Sequence, residues 1–455
     1  MATAGTLLLA CGSPSHRTEM GLTLLAEKLA LKHLIFTFTP EAVQIGSNSG
    51  RQAAKCTKFK QEKKSLEKPG RQRLHQDIAE EETMDKFDGL DADDDLDKRL
   101  GDNDVFPPLL LKTGVWPDTT RLSKIAKTLN AFLKDKQSFD TTLQQLRDIQ
   151  TQPASVNPYT LFASFTLLAF SSSLILFNGT WLDGTIAACL GGIMGVLIIL
   201  ALDLPVYARV FDISACALVS FLGRVLSRYC CYNATVIPAI VILLPGYNMT
   251  LSVMELTEKQ VVSGTIRLAY AIFYTFMLGY GLHIGSSLYN AIDPSSELAG
   301  HCPTDSGVPT WTYVPMFPLL SISIGLSFGA NWRQWFSQTI CAGLGFTTTF
   351  FLQPLMQEAA VLNTLATFVV GLYCHLTLRY FGEQPLAPLC VGITLLLPGS
   401  LGVKGAYAFL NQKDTDQASF AFNMLNVALG LSVGLFASAM VVYPWGKPKS
   451  LSISM

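Results

Sequence analysis

Residues 232–253, YNATVIPAIVILLPGYNMTLSV, decide the fold. The stretch carries no charged side chain and matches the ~20 residues a helix needs to cross the hydrocarbon core of a bilayer. Yet Leu243-Leu244-Pro245-Gly246 lies inside it. Proline removes a helical hydrogen bond and clashes with the preceding turn, and glycine lets the chain bend. The span should therefore be interrupted, with freed backbone groups that a membrane tolerates only against protein or water. The same four residues return as Leu396-Leu397-Pro398-Gly399 inside the apolar stretch 385–410. Two further landmarks repeat with them. Phe177-Asn178-Gly179-Thr180-Trp181 answers to Phe328-Gly329-Ala330-Asn331-Trp332, and Cys189-Leu190-Gly191 to Cys341-Ala342-Gly343. The offsets are 151, 152 and 153 residues, close enough to mark one duplication.

Working outward, the 455 residues are 49% hydrophobic and 15% charged, with mean hydropathy +0.34. The charge is uneven: residues 1–156 hold 44 of the 67 Asp, Glu, Lys and Arg. A soluble enzyme, a nucleic-acid binder and a disulfide-built secreted domain are thereby excluded. The start has no basic segment and too short an apolar run for a secretory signal. The ten cysteines give no reason to expect oxidation; five sit in apolar runs, and Cys302 lies in a polar loop without an evident partner. No metal-ligand spacing occurs, so no metal or cofactor is expected.

Ten spans follow: about 159–177, 181–202, 206–227, 232–253, 262–289, 313–329, 335–353, 356–380, 385–410 and 418–443. A repeat of five spans, an odd number, must be inverted, as in many secondary transporters. The fold class is a polytopic all-α membrane protein, ten transmembrane helices as two inverted five-helix repeats, preceded by a small α/β cytosolic domain. Its parts are 1–55, the front part of that domain; 56–118, a charged disordered insert that leaves the domain incomplete; 119–156, its helical end; 157–290, the first membrane repeat; 291–312, a loop; 313–445, the second repeat; and 446–455, a tail. A helix is expected over 13–31 with Ser13 as its cap, a strand over 33–45, and a helix over 119–149. The Lys and Arg bias places the N- and C-termini in the cytosol; plasma and vacuolar membranes are equally compatible.

Charges within spans mark function by default. Glu255 and Arg267 follow the first Pro-Gly break, and His283 and His375 lie within spans. Glu255, Arg267 and His283 are the candidates for coupling and charge, with Asp183, Asp203 and Asp212 beside spans two and three; the last two are expected to be interfacial. The freed backbone at both breaks, with Pro245, Gly246, Tyr247, Asn248, Pro398, Gly399 and Ser400, is the candidate substrate site for a small zwitterion.

Three groups of residues resemble the threonine/serine exporter family, and more narrowly its fungal branch, the pheromone-regulated membrane proteins. They are Gly12-Ser13-Pro14-Ser15-His16-Arg17-Thr18-Glu19, Phe177 through Asp183, and Leu-Leu-Pro-Gly followed by Glu255, Gly264 and Arg267-Leu268. The resemblance covers 11–55 and 119–445. It implies a cytosolic front domain with His16, Arg17 and Glu19 as its motif, and proton-driven export of threonine and serine across a lipid bilayer. No nucleic acid is involved, and homo-oligomers are compatible with it. The alternatives are a non-transporting scaffold or regulatory protein in fungal mating or cell fusion, and a membrane-embedded hydrolase using Ser13, Ser15, His16 and Glu19.

Overall fold

A computed structural model describes residues 1–29, 31, 34–39, 42–47, 109–112, 118–152, 155–293, 308–356, 358–381, 386–396 and 419–443. The chain opens with two helices, α1 (Ala2–Ala10) and α2 (Ser15–Lys28). The short start read only against a signal peptide is thus a helix, with Leu8 and Leu9 at 1% exposure in the core. The expected strand at 33–45 is a hairpin, β1 (Leu34–Thr39) and β2 (Ala42–Ser47), pairing Phe36 with Ile45. β3 (Leu109–Lys112) adds antiparallel to β2, pairing Leu111 with Val43. Residues 109–112 fall within the stretch expected to be an insert and are instead part of the sheet; 56–108 lie outside the described residues.

The expected helix over 119–149 is two helices, α3 (Thr119–Leu133) and α4 (Phe139–Thr151). Asp135 between them has φ 57, a left-handed conformation that ends the first. Asp118 caps α3 by accepting from the Arg121 amide at 2.9 Å. The stripe Leu122, Ile125, Ala126 and Leu129 is fully buried, at the i, i+3, i+4, i+7 spacing of an amphipathic helix. These residues form one core with Leu22 and Val43, and it continues into Leu168, Ile324, Leu386 and Val391 of the apolar section. The front domain is therefore joined to the membrane section by packing as well as by chain.

Among the described residues ten apolar stretches carry helix. They are α5 (Pro158–Leu176), α6 (Trp181–Asp203), α7 (Phe211–Val225), the broken pair α8 (Tyr232–Ala239) and α9 (Gly246–Thr257), α10 (Val261–Ile292), α11 (Tyr313–Ser327), α12 (Trp335–Leu352), α13 (Ala359–Phe381), α14 (Leu386–Leu396) and α15 (Ser419–Val442). Among the described residues five helices are long and apolar enough to span a bilayer, or six with the bent pair. In the third, sixth and ninth expected spans the longest described helices, Phe211–Val225, Tyr313–Ser327 and Leu386–Leu396, have only 15, 15 and 11 residues. Large apolar side chains such as Val196, Phe273 and Phe350 are more than half exposed on the flanks, where only lipid would cover them. The protein is a multi-pass, mostly helical membrane protein.

The same helix neighbours recur in both halves. The first packs on the second (α5 on α6, α11 on α12), the second on the fourth (α6 on α8, α12 on α14) and the third on the fifth (α7 on α10, α13 on α15). The third-to-fifth contact uses the same device twice. Gly281 and Gly285 let α10 approach the Ile213 and Ala217 carbonyls, and Gly430 and Gly434 let α15 approach those of Ala360 and Thr364. This small-residue spacing brings helix backbones together where no hydrophobic drive exists. The turn before the second helix also recurs. Asn178 (φ 51) and Gly329 (φ 69) are both left-handed, and each is followed by a capping box, Thr180 with Asp183 and Asn331 with Gln334. The two turns serve different contacts. At Phe328–Gly329 the Thr119 amide donates to the Phe328 carbonyl at 3.0 Å and Thr120 Oγ1 to the Gly329 carbonyl at 2.6 Å, so α3 docks there.

Cys231 is disulfide-bonded, its partner lying outside the described residues, which corrects the expectation of no oxidation. The five cysteines of the apolar runs are free thiols.

Candidate functional site

The interruption expected at Leu243-Leu244-Pro245-Gly246 is present. α8 ends at Ala239, a single 3-10 turn covers Val241–Leu243, Leu244 is extended, and α9 restarts at Gly246 with the axis bent by 54°. Pro245 and Gly246 are buried, and Tyr247 and Asn248 half-buried. The Tyr247 ring lies 5.8 Å from that of Phe328, and its hydroxyl oxygen accepts from the Cys390 thiol at 3.6 Å. The break thus touches α14 and the α11–α12 turn of the second half. Pro398, Gly399 and Ser400 lie outside the described residues.

From Gly246, α9 runs into a wholly buried segment, Met249 through Glu255. Its C-terminus closes with the Gln260 amide on the Glu255 carbonyl at 2.8 Å and the Lys259 amide on that of Leu256 at 3.1 Å. Lys259 is left-handed at φ 66, completing a Schellman turn. The chain doubles back so tightly that a Cβ on Gly264 would lie 2.9 Å from the Ser252 carbonyl oxygen. Ser263 and Arg267, four apart on α10, then face Glu255.

Glu255 is 0% exposed. Its Oε2 accepts from Ser263 Oγ at 2.8 Å, and Arg267 Nη2 stands 3.4 Å from Oε1. The remaining donor comes from 240 residues away, the Ser15 amide to Oε1 at 3.0 Å. The Ser15 and Ser263 hydroxyls meet at 2.9 Å. A carboxylate of the membrane section therefore binds the first amide of α2, where the helix carries its positive partial charge. This corrects the expected cap. Pro14 takes the cap position without a side-chain bond, and Ser13 Oγ accepts from the Thr18 hydroxyl.

Beside this node α2, the α9–α10 turn and α15 enclose a cleft of about 510 Å³. His16, Arg17 and Glu19 reach it from α2, Glu258 and Gln260 from the turn, and Phe436 from α15. Glu19 accepts from the Gln260 side chain. Burial depresses the Arg17 guanidinium, opposed by Glu258 and Tyr443. Burial raises the Glu19 carboxyl above the ordinary carboxylate range, and the Gln260 bond pulls it partly back. Burial pushes the Cys11 thiol on the same domain up to about 12, with Asp118 adding to it.

The Glu19 shift has a sign that can be tested. A raised folded-state value makes ionised Glu19 a cost to the fold, absent below the ordinary carboxylate range and full above the raised value. Glu19→Gln should match the parent at the acid end of a series of thermal melts and gain on it toward neutral pH. A gap that widens toward acid pH would contradict this.

The structure therefore brings Glu255, Arg267, His16, Arg17 and Glu19 into one region. His283 does not join them: it lies 16 residues beyond Arg267 on α10, about 24 Å along the helix axis. Asp183 is spent on the capping box and the Cys231 amide, Asp203 is exposed, and Asp212 accepts from the Tyr274 hydroxyl at 2.7 Å. Ser263 escaped the sequence reading, although its spacing to Arg267 puts both on one helix face. Among the described residues no His, Cys, Asp and Glu group could hold a metal ion.

Two family models match the chain. The one described as "Putative threonine/serine exporter" covers residues 112–289, and the one described as "Threonine/Serine exporter, ThrE" covers 314–441. Similar proteins named pheromone-regulated membrane protein 10 occur in Kluyveromyces lactis (29% identity, 65% of this chain), Debaryomyces hansenii (29%, 73%) and Saccharomyces cerevisiae (28%, 65%). The chain spans 33% and 36% of the length of the first two relatives and 84% of the third. No solved structure matches. The chain belongs to the threonine/serine exporter family, in the branch that holds the fungal pheromone-regulated membrane proteins.

Proposed function

We propose that the protein is a secondary transporter that exports threonine and serine, coupled to protons. In this reading it has ten spans in two inverted repeats, with both termini in the cytosol. The observation that carries it is the fully buried Glu255 on the half-helix that follows the Pro-Gly break. The solute is bound by Pro245, Gly246, Tyr247 and Asn248, and Pro398, Gly399 and Ser400 are its further proposed partners. The amide end of α9 at Gly246 attracts its carboxylate, and carbonyls freed at the break take its ammonium. Glu255 carries the proton. In its charged form it holds Arg267, Ser263 and the Ser15 amide; in its neutral form it lets go of the positive partners, and the front of α2 loosens. His283 has no part at this node, lying 16 residues beyond Arg267 on α10. The recurrence of helix neighbours and of the left-handed capped turn supports the duplicated architecture.

The test is efflux of preloaded labelled threonine and serine from vesicles holding the protein, with and without an imposed pH gradient. Gradient-driven efflux is expected, blocked by excess unlabelled serine, and Glu255→Gln should remove the stimulation by the gradient. Absence of efflux from folded, inserted protein would overturn the transporter reading.

A second reading has its own support. The relatives are named for regulation by pheromone, which suits a regulatory membrane protein in fungal mating or cell fusion. The seating of α2 on Glu255 would then be a fixed structural lock, and Glu255→Gln would change stability without any flux to change.

A further inference from the structure

The cleft beside the Glu255 node holds chemistry that proton coupling leaves unused. Its polar groups are not equivalent. Glu19 and Gln260 are bonded to each other, and Thr23 Oγ1 donates to the Glu19 carbonyl at 2.8 Å. Arg17 is different: its Nε is buried and makes no hydrogen bond among the described residues. Glu258 carries the opposite charge and is exposed at the rim, close enough to act electrostatically on Arg17. A cation with an unused donor thus stands near an accessible anion. His16 also lines the cleft, and the remaining wall is apolar, with Met20 and Leu24 from α2, Met254 from α9, and Leu435 and Phe436 from α15. The volume, about 510 Å³, is in the range of small-molecule sites and far exceeds what a threonine fills.

We propose that this cleft binds a small zwitterion with an apolar extension, its anionic group on Arg17, its ammonium on Glu258 and its extension along Met20, Leu24 and Phe436. The guanidinium fork suits a carboxylate or phosphate in two-point contact. The apolar part of the wall, Met20, Leu24, Met254, Leu435 and Phe436, suits an extension larger and less polar than that of serine or threonine, so this site differs from the route proposed for the exported solute and does not rest on it. Two sources present the required chemistry, free amino acids with large apolar side chains and the headgroup of phosphatidylethanolamine.

The experiment uses the full chain in nanodiscs of pure phosphatidylcholine, which lacks a hydrogen-bonding ammonium. In one arm leucine, methionine, phenylalanine, serine and threonine are added, and melting temperature and equilibrium binding of labelled leucine are read. In the other arm phosphatidylethanolamine replaces part of the lipid and the melting shift is read. Stabilisation by leucine, methionine or phenylalanine beyond serine and threonine identifies a free amino acid; stabilisation by phosphatidylethanolamine alone identifies the headgroup. In either case Arg17→Gln should weaken binding roughly tenfold or more, and Glu258→Gln should weaken it too. Ala439→Trp, which fills the cleft without touching either charge, should abolish the ligand shift at an unchanged unliganded melting temperature, so that misfolding of the Arg17 variant does not decide the result. No stabilisation in either arm, equal stabilisation of the Ala439→Trp variant, or tightest binding by serine or threonine would overturn the proposal. Because binding is read without flux, its failure is distinct from failure of the transport assay.

Discussion

Replacing Glu255 with Ala is expected to cost about 3–5 kcal/mol and to unseat the front domain, because it strands a buried cation. Arg267 is 11% exposed at its side chain and already has an unbonded Nε. Losing Glu255 would leave it without its counter-charge, and would strip the Ser15 amide and Ser263 hydroxyl of their acceptor at the same stroke. Glu255→Gln is milder, since an amide oxygen still accepts from Ser15 while the charge of Arg267 goes unanswered. The double replacement Glu255→Met with Arg267→Met should recover most of the loss, since removing both charges together leaves none uncompensated. Thermal melts in a fixed lipid or detergent read the stability, and protease cleavage between α2 and β1 reads the seating of the front domain. An unchanged melt for Glu255→Ala, or a double variant worse than both singles, would contradict this account.

The second large effect is expected at the paired glycines of the fifth helix in each half. A Cβ on Gly285 would fall 2.1 Å from the Ala217 carbonyl oxygen, and one on Gly434 2.5 Å from that of Thr364. Both obstacles are helix backbone, so no rotamer change relieves them, and α7 must part from α10, or α13 from α15. Overpacking at side chains costs about 1–3 kcal/mol, and here the backbones themselves must move. Gly285→Ala and Gly434→Ala should each lose most of the monodisperse protein in size-exclusion runs. Gly343→Ala is the control, since its added methyl meets only Phe317 Cε1, at 3.7 Å. Normal yield from the first two variants would show that the helices are held apart by more than this contact suggests.

These two sites also mark what sequence reveals and what it hides. The broken span was legible because Pro245 and Gly246 act on their own backbone, and local chemistry is written locally. The duplicated turn was legible as a word match at Asn178 and Gly329, though its reason, a left-handed residue before a capping box, needed the structure. The glycine pairs were legible in principle: Gly281 and Gly285, like Gly430 and Gly434, stand four apart in apolar runs, but among 35 glycines the spacing does not announce its partner. Glu255 and Arg267 were legible as rare charges near a span. Ser15 on Glu255 was not, because a contact across 240 residues leaves no periodic trace and the Ser13-Pro14 pair imitates an ordinary helix start. The expected insert reached too far for a related reason. Leu109–Lys112 has no alternation strong enough to declare a strand, and it becomes one by completing a hairpin.

The double seating of the front domain has a mechanical consequence. Through α2 it is fastened to the α9–α10 turn of the first half, and through α3 to the Phe328–Gly329 turn of the second. Since α2 and α3 share one packed core, the domain is a strut between two anchor points on bodies that alternating access would swing apart. Its length would then fix the amplitude of any swing in the proposed transport cycle. Either the strut travels with both bodies, and the stroke is short, or one fastening releases in every cycle. The α2 fastening includes the carboxylates of Glu255 and Glu19 beside the Ser15–Ser263 hydroxyl pair, whereas the α3 fastening rests on backbone carbonyls that no proton can switch off. If the proposed proton-driven cycle operates, the α2 side is the end that protonation would release.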